Sequence, residues 1–108
     1  MFGRIPQFGL KAEVKKDFID VFKNQVLQIL KKQVGFVEVL PFFSEKVTDQ
    51  TTYNVSLWAT KADAERFETE TYPKVFAILK PFLTTPVTVK LFNLETTLCQ
   101  HFVDSLAA

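Results

Sequence analysis

Residues 34–72 constrain the fold more tightly than any other stretch of the chain. After Gly35 the apolar segment 36–43 reads as a strand, and the polar residues 44–51, with Asp49-Gln50, read as a hairpin loop. Residues 52–59 then alternate: Tyr53, Val55 and Leu57 point one way, and Thr52, Asn54, Ser56 and Trp58 the other. Trp58 shares the polar-looking face, so that face is not simply solvated. Thr60 with Asp63 resembles a capping box with Asp in place of the usual Glu, which starts a helix at Lys61.

The remaining elements fall around this centre. Residues 2–10 read as a first strand, in which Pro6 suggests an edge or a bulge because it cannot donate to a ladder. Residues 13–33 form the first helix, with Phe18, Phe22, Val26, Ile29 and Leu30 at three- and four-residue spacing. Ile19, Val21 and Leu27 widen its apolar side, and Gly35 ends it where a left-handed cap costs least. The helix from Lys61 is expected to stop near Thr69 and to restart at Pro73, which is tolerated in a first turn. Val75, Phe76 and Leu79 of this second piece point inward, and residues 87–94 are the fourth strand.

The order β-α-β-β-α-β is the ferredoxin-like split arrangement, an α+β fold with a four-stranded antiparallel sheet. Its helices cover one face only. Strands 36–43 and 87–94 carry bulky residues on both faces, so a second chain is expected against the open face, as a two-fold homodimer. Residues 1–94 make up this domain, and 95–108 a tail in which Leu98, Phe102, Val103 and Leu106 have the spacing of a short helix.

Composition excludes more than it assigns. A chain of 108 residues is one domain, and 47% apolar residues argue against disorder. Thirteen basic and 12 acidic residues leave a net charge of +1, which favours neither nucleic acid nor a membrane surface as partner. The pairs Lys15-Lys16 and Lys31-Lys32 read as solvated helix faces. No apolar run is long enough to span a bilayer, and Arg4, Pro6 and several charges interrupt any leader-like pattern in the first 20 residues. Cys99 is the sole cysteine, so no intrachain disulfide and no Cys-based metal site is expected, and a cytoplasmic, reducing compartment fits. Twelve Phe residues exceed the needs of one small core, which points to a pocket or an interface.

The chain resembles the dimeric α/β barrel superfamily, and within it the antibiotic biosynthesis monooxygenase-like domains, over residues 1–94. Gly35-Phe36, Val55-Ser56-Leu57-Trp58, Thr60-Lys61-Ala62-Asp63-Ala64 and the helix through Phe67 to Tyr72 carry the resemblance. Haem-degrading members are similar in carrying an Asn near the end of strand one, a Trp in helix two and a later His. Gln7, Phe67 and Ala77 stand there in this chain, so haem degradation by that route is not expected. The resemblance instead implies a cofactor-free monooxygenase. Its pocket would hold a phenolic or hydroquinone-like molecule and stabilise the anion that delivers an electron to oxygen. A non-catalytic, stress-responsive binding module of the same fold is the alternative. An isomerase or lyase would need an acid or base in the cleft, for which Glu38 and His101 are the candidates.

The expected binding residues are Gln7, Trp58 and Tyr72 for polar groups, and Phe22, Val26, Phe67 and Phe76 for a planar apolar ligand. Each also has a plain structural use: strand-edge amide, core indole, rim tyrosine and helix-packing phenylalanine. No metal spacing, phosphate loop or Ser-His-Asp set is present.

Overall fold

The computed structural model describes residues 1–102. Strands β1 (Phe2–Gly9), β2 (Phe36–Phe43), β3 (Thr51–Trp58) and β4 (Thr88–Asn93) form one antiparallel sheet in the order β2-β3-β1-β4. The helices α1 (Lys15–Val21), α2 (Leu27–Lys31), α3 (Lys61–Glu70) and α4 (Tyr72–Leu79) provide the apolar layer that packs on it. This is the expected ferredoxin-like arrangement. No helix among the described residues is long and apolar enough to cross a membrane.

The first helix is not one regular α-helix. A π-helical turn, Phe22–Val26, joins α1 to α2. Phe18, Phe22, Val26 and Leu30 are all buried and lie four residues apart. In a regular α-helix such a row winds away from its face by about 40° per step. The wider π turn takes up part of that drift and keeps the row against the sheet.

Pro6 is corrected from the expected edge or bulge: β1 is a central strand, between β3 and β4. The register that pairs Arg4 with Ser56 and Gln7 with Tyr53 sets Pro6 opposite Asn54, and the β1–β3 ladder is interrupted there. Pairing towards β4 continues through Pro6 and Val89. The missing N–H therefore costs the sheet one rung on one side only.

The sheet's helix side carries Phe2, Phe8, Trp58, Thr52 and Ser56, all buried. Trp58 is 0% exposed, its ring 4.8 Å from Phe67 and 5.6 Å from Phe36, and its Nε1 donates to Ser56 Oγ at 3.0 Å. A second aromatic group, Phe8, Phe18, Phe22, Phe43 and Phe82, fills the other end of the core. The opposite face of the sheet is open. There Leu40 stands opposite Val55, and Phe42 opposite Tyr53. Phe92 and Leu57 both flank Gly3.

Thr60 caps α3 as expected, its Oγ1 accepting from Asp63 N at 3.1 Å. The Asp63 carboxylate accepts from the Thr60 hydroxyl at 2.8 Å and from Arg66 Nη1 at 3.1 Å. Gly35 lies against this cap with φ +80, and its carbonyl accepts from Ala59 N at 2.7 Å. A Cβ at Gly35 would run into the Asp63 carboxylate. Gly35→Ala is expected to cost roughly 2–3 kcal/mol, from left-handed backbone strain and a disturbed cap. Urea unfolding checks this, and a loss below a few tenths would refute it.

In the β2–β3 loop, hydrogen bonds from Thr51 and Ser44 hold the Asp49 carboxyl below its ordinary range. Leu94 N donates to Met1 O at 2.9 Å, tying the end of β4 to the first residue. The tail makes a 3-10 turn at Thr96–Leu98 and a helical turn at 100–102. Val103 and Leu106, which carry the rest of the expected tail helix, lie outside the described residues.

Candidate functional site

Between the sheet and helices lies a central cavity. Its floor is formed by Arg4, Pro6 and Phe8 of β1 and by Asn54 and Ser56 of β3. Its walls come from Val26, Leu30, Phe67, Tyr72, Phe76 and Leu79. Within an envelope of ≈ 500 Å³ that includes the open mouth, ≈ 30 Å³ can hold the centre of a water molecule. The smaller figure decides what enters unaided, and it corresponds to about two water spheres. Tyr72 and Phe76 are half-buried, whereas Val26 and Phe67 are buried.

Arg4 is the principal polar group. It is 4% exposed, an exceptional state for a guanidinium. Its Nε donates to Glu68 Oε2 of α3 at 2.5 Å. The guanidinium carbon lies 4.1 Å from the Tyr72 ring centroid and 5.5 Å from that of Phe67. Those two rings and the carboxylate fix the plane of the fork. Nη2 is buried and has no hydrogen-bond partner.

Asn54 Oδ1 is likewise buried without a partner. The reason is local: Pro41 of β2 stands beside Asn54 on one flank and Pro6 on the other. Two pyrrolidine rings offer the amide only C–H groups. Ser56, directly opposite Arg4, accepts from the Trp58 indole and keeps its own hydroxyl proton to donate.

The expected residues divide. Val26, Phe67, Tyr72 and Phe76 line the cavity together. Trp58 lies behind the wall, with its N–H already satisfied by Ser56. Phe22 belongs to the other aromatic group and lines a separate cleft with Phe18, Lys23 and Pro41. Gln7 is corrected: it is exposed, and strand alternation puts it on the open face of the sheet. Glu38 is exposed, with its carboxylate accepting from Val39 N, and neither it nor His101 lines the cavity. The acid or base that an isomerase would require is therefore not supplied by those residues. Among the described residues no three His, Cys, Asp or Glu side chains converge as a metal site.

Arg4, Asn54 and Glu68 were not expected. The signal for Arg4 is its phase: it falls in the same alternation as Phe2, Phe8 and Leu10, so a charged side chain had to enter the core. Asn54 shares the phase of Trp58.

No protein-family model matches the chain, and no curated protein matches it. Solved structures do. The chain is similar to SnoaB, a cofactor-independent oxygenase from Streptomyces nogalater, with a TM-score of 0.72, 18% identity, and 92% of this chain and 97% of that one covered. It is similar to a monooxygenase from the ActVA-Orf6 gene of Streptomyces coelicolor, solved with nanaomycin D, at TM-score 0.71 and 12% identity, covering 87% of each chain. An antibiotic biosynthesis monooxygenase gives TM-score 0.66 and 14% identity, over 88% of this chain and 99% of that one. The chain thus has the ferredoxin-like α+β fold of these solved monooxygenases.

Proposed function

We propose that the chain is a cofactor-free monooxygenase-like protein whose central cavity takes a small phenolic or hydroquinone-like molecule. The observation that carries this reading is the pair of unpartnered buried polar atoms, Arg4 Nη2 and Asn54 Oδ1, on residues that line a mainly apolar cavity. The fold shared with solved oxygenases supports the reaction class.

In this reaction a phenol and dioxygen give a quinone and water. One oxygen atom enters the ring, the other leaves as water with two substrate hydrogens, and the substrate supplies the electrons. The chain's part is to orient the ring against Phe67, exclude water, and set Arg4 Nη2 at the oxygen where negative charge develops. Arg4→Met is expected to lower kcat by about 10²–10³-fold, as loss of an oxyanion donor does elsewhere. Oxygen uptake with a panel of hydroquinones and naphthols checks this. A variant as fast as the parent protein would remove Arg4 from the reaction.

The narrow free space favours a second reading, a binding module without turnover. A panel that binds but consumes no oxygen would establish it. In both readings the protein is a homodimer through the open sheet face, where Leu40, Phe42, Tyr53 and Phe92 are 39–54% exposed.

A further inference from the structure

We propose that Arg4 and Asn54 form a two-point recognition site for a neutral ring compound that carries a carbonyl oxygen at one end and a hydroxyl at the other. The proposal rests on the preceding reading for one thing only, that the cavity accepts a ring.

Three observations carry it. The first is complementarity. Nη2 of Arg4 is a donor, Oδ1 of Asn54 is an acceptor, and both are buried, line one cavity and have no partner in the protein. A buried polar group without a partner is destabilising, the more so when it is charged. A ligand that accepts from one and donates to the other recovers both costs together. Arg4 stands opposite Ser56, and Asn54 lies two residues along the same face of β3. That diagonal is roughly 7–8 Å, somewhat less at Cβ, so the two groups can address separate atoms of one ring.

The second is charge. Glu68 already neutralises Arg4, and the pair as a whole is uncharged. A carboxylate or phosphate would bring an unbalanced negative charge into a cavity lined by Val26, Leu30, Phe67 and Leu79. A ketone oxygen accepts from Nη2 without that cost. The third is rigidity. The guanidinium carbon lies over the Tyr72 ring at 4.1 Å and its Nε is held by Glu68, while prolines flank Asn54. Donor and acceptor are held ready before a ligand arrives.

The test is calorimetric binding of 4-hydroxyacetophenone at a pH where its phenol is neutral. Acetophenone and 4-hydroxybenzoate serve as comparison ligands, with the Arg4→Met and Asn54→Leu variants alongside the parent protein. The parent should bind the hydroxy-ketone about tenfold more tightly than acetophenone. In Asn54→Leu that preference should vanish, while acetophenone binding is retained. Arg4→Met should weaken both ketones by about tenfold or more. Asn54→Leu removes an unpaired polar group and should fold at least as well as the parent, which keeps the test independent of stability. Tighter binding of 4-hydroxybenzoate than of the ketone would overturn the proposal in favour of an anion site. Equal affinities for hydroxy-ketone and acetophenone in the parent would overturn it while leaving an aromatic-binding cavity. Failure of all three ligands would overturn the cavity reading itself.

Discussion

Trp58→Ala is expected to remove about 3–5 kcal/mol of folding stability, the range for deleting a fully buried large aromatic side chain. The indole is 0% exposed and fills the space between β3, Phe36 and Phe67. Its loss leaves a cavity that the sheet cannot collapse, and it strips Ser56 Oγ of the N–H that it accepts. Against a total of about 5–15 kcal/mol for a domain of this kind, the variant should be largely unfolded when warmed. Chemical denaturation followed by far-ultraviolet circular dichroism measures the loss. Trp58→Phe keeps most of the volume and should cost less than half as much. An alanine variant within 1 kcal/mol of the parent would mean that the indole is not a structural post.

The second large effect concerns association. Phe42→Lys combined with Leu40→Lys places two charges on the edge strand β2 of the open sheet face, opposite Tyr53 and Val55. In a two-fold interface every substitution appears twice, so four like charges are brought together away from water. The proposed homodimer should dissociate fully at micromolar concentration, a shift visible by sedimentation velocity. The protomer should stay folded, because these side chains point away from the helix-covered core. If the doubly substituted protein remains dimeric, the contact lies elsewhere. A monomeric parent protein would deny the pairing altogether.

Much of the architecture could be read from local chemistry. The alternation through 52–59, the Thr60 cap and Gly35 each specify backbone geometry within a few residues, and the structure reproduces them. What could not be read locally depended on which end of the core a residue reaches. Phe22 and Val26 share one row on one helix, yet Phe22 joins the Phe18 and Phe43 group while Val26 meets the cavity. Helical spacing gives the face and is silent about position along it. Gln7 is expected inside as an amide near the end of an apolar strand, but strand phase puts it on the open face. Arg4 carries a charge in a buried strand phase, and only its pairing with Glu68, 64 residues away, makes its burial tolerable. Long-range compensation of that kind has no local signature.

The alternation of β1 has a consequence for how such a chain can change. Arg4, Pro6 and Phe8 line the cavity, while Gly3, Ile5 and Gln7 lie on the open face. On the proposed reading, ligand and partner copy are thus addressed by parity along one ribbon. Even positions can diverge towards a new ligand without disturbing the surface on which copies meet, and odd positions can rewire assembly without touching the ligand. The arrangement forbids one kind of change: inserting or deleting a single residue within the strand exchanges the two addresses at once, delivering Ile5 to the ligand and Arg4 to the neighbouring copy. Point substitution is the open route for this strand, and length change is closed.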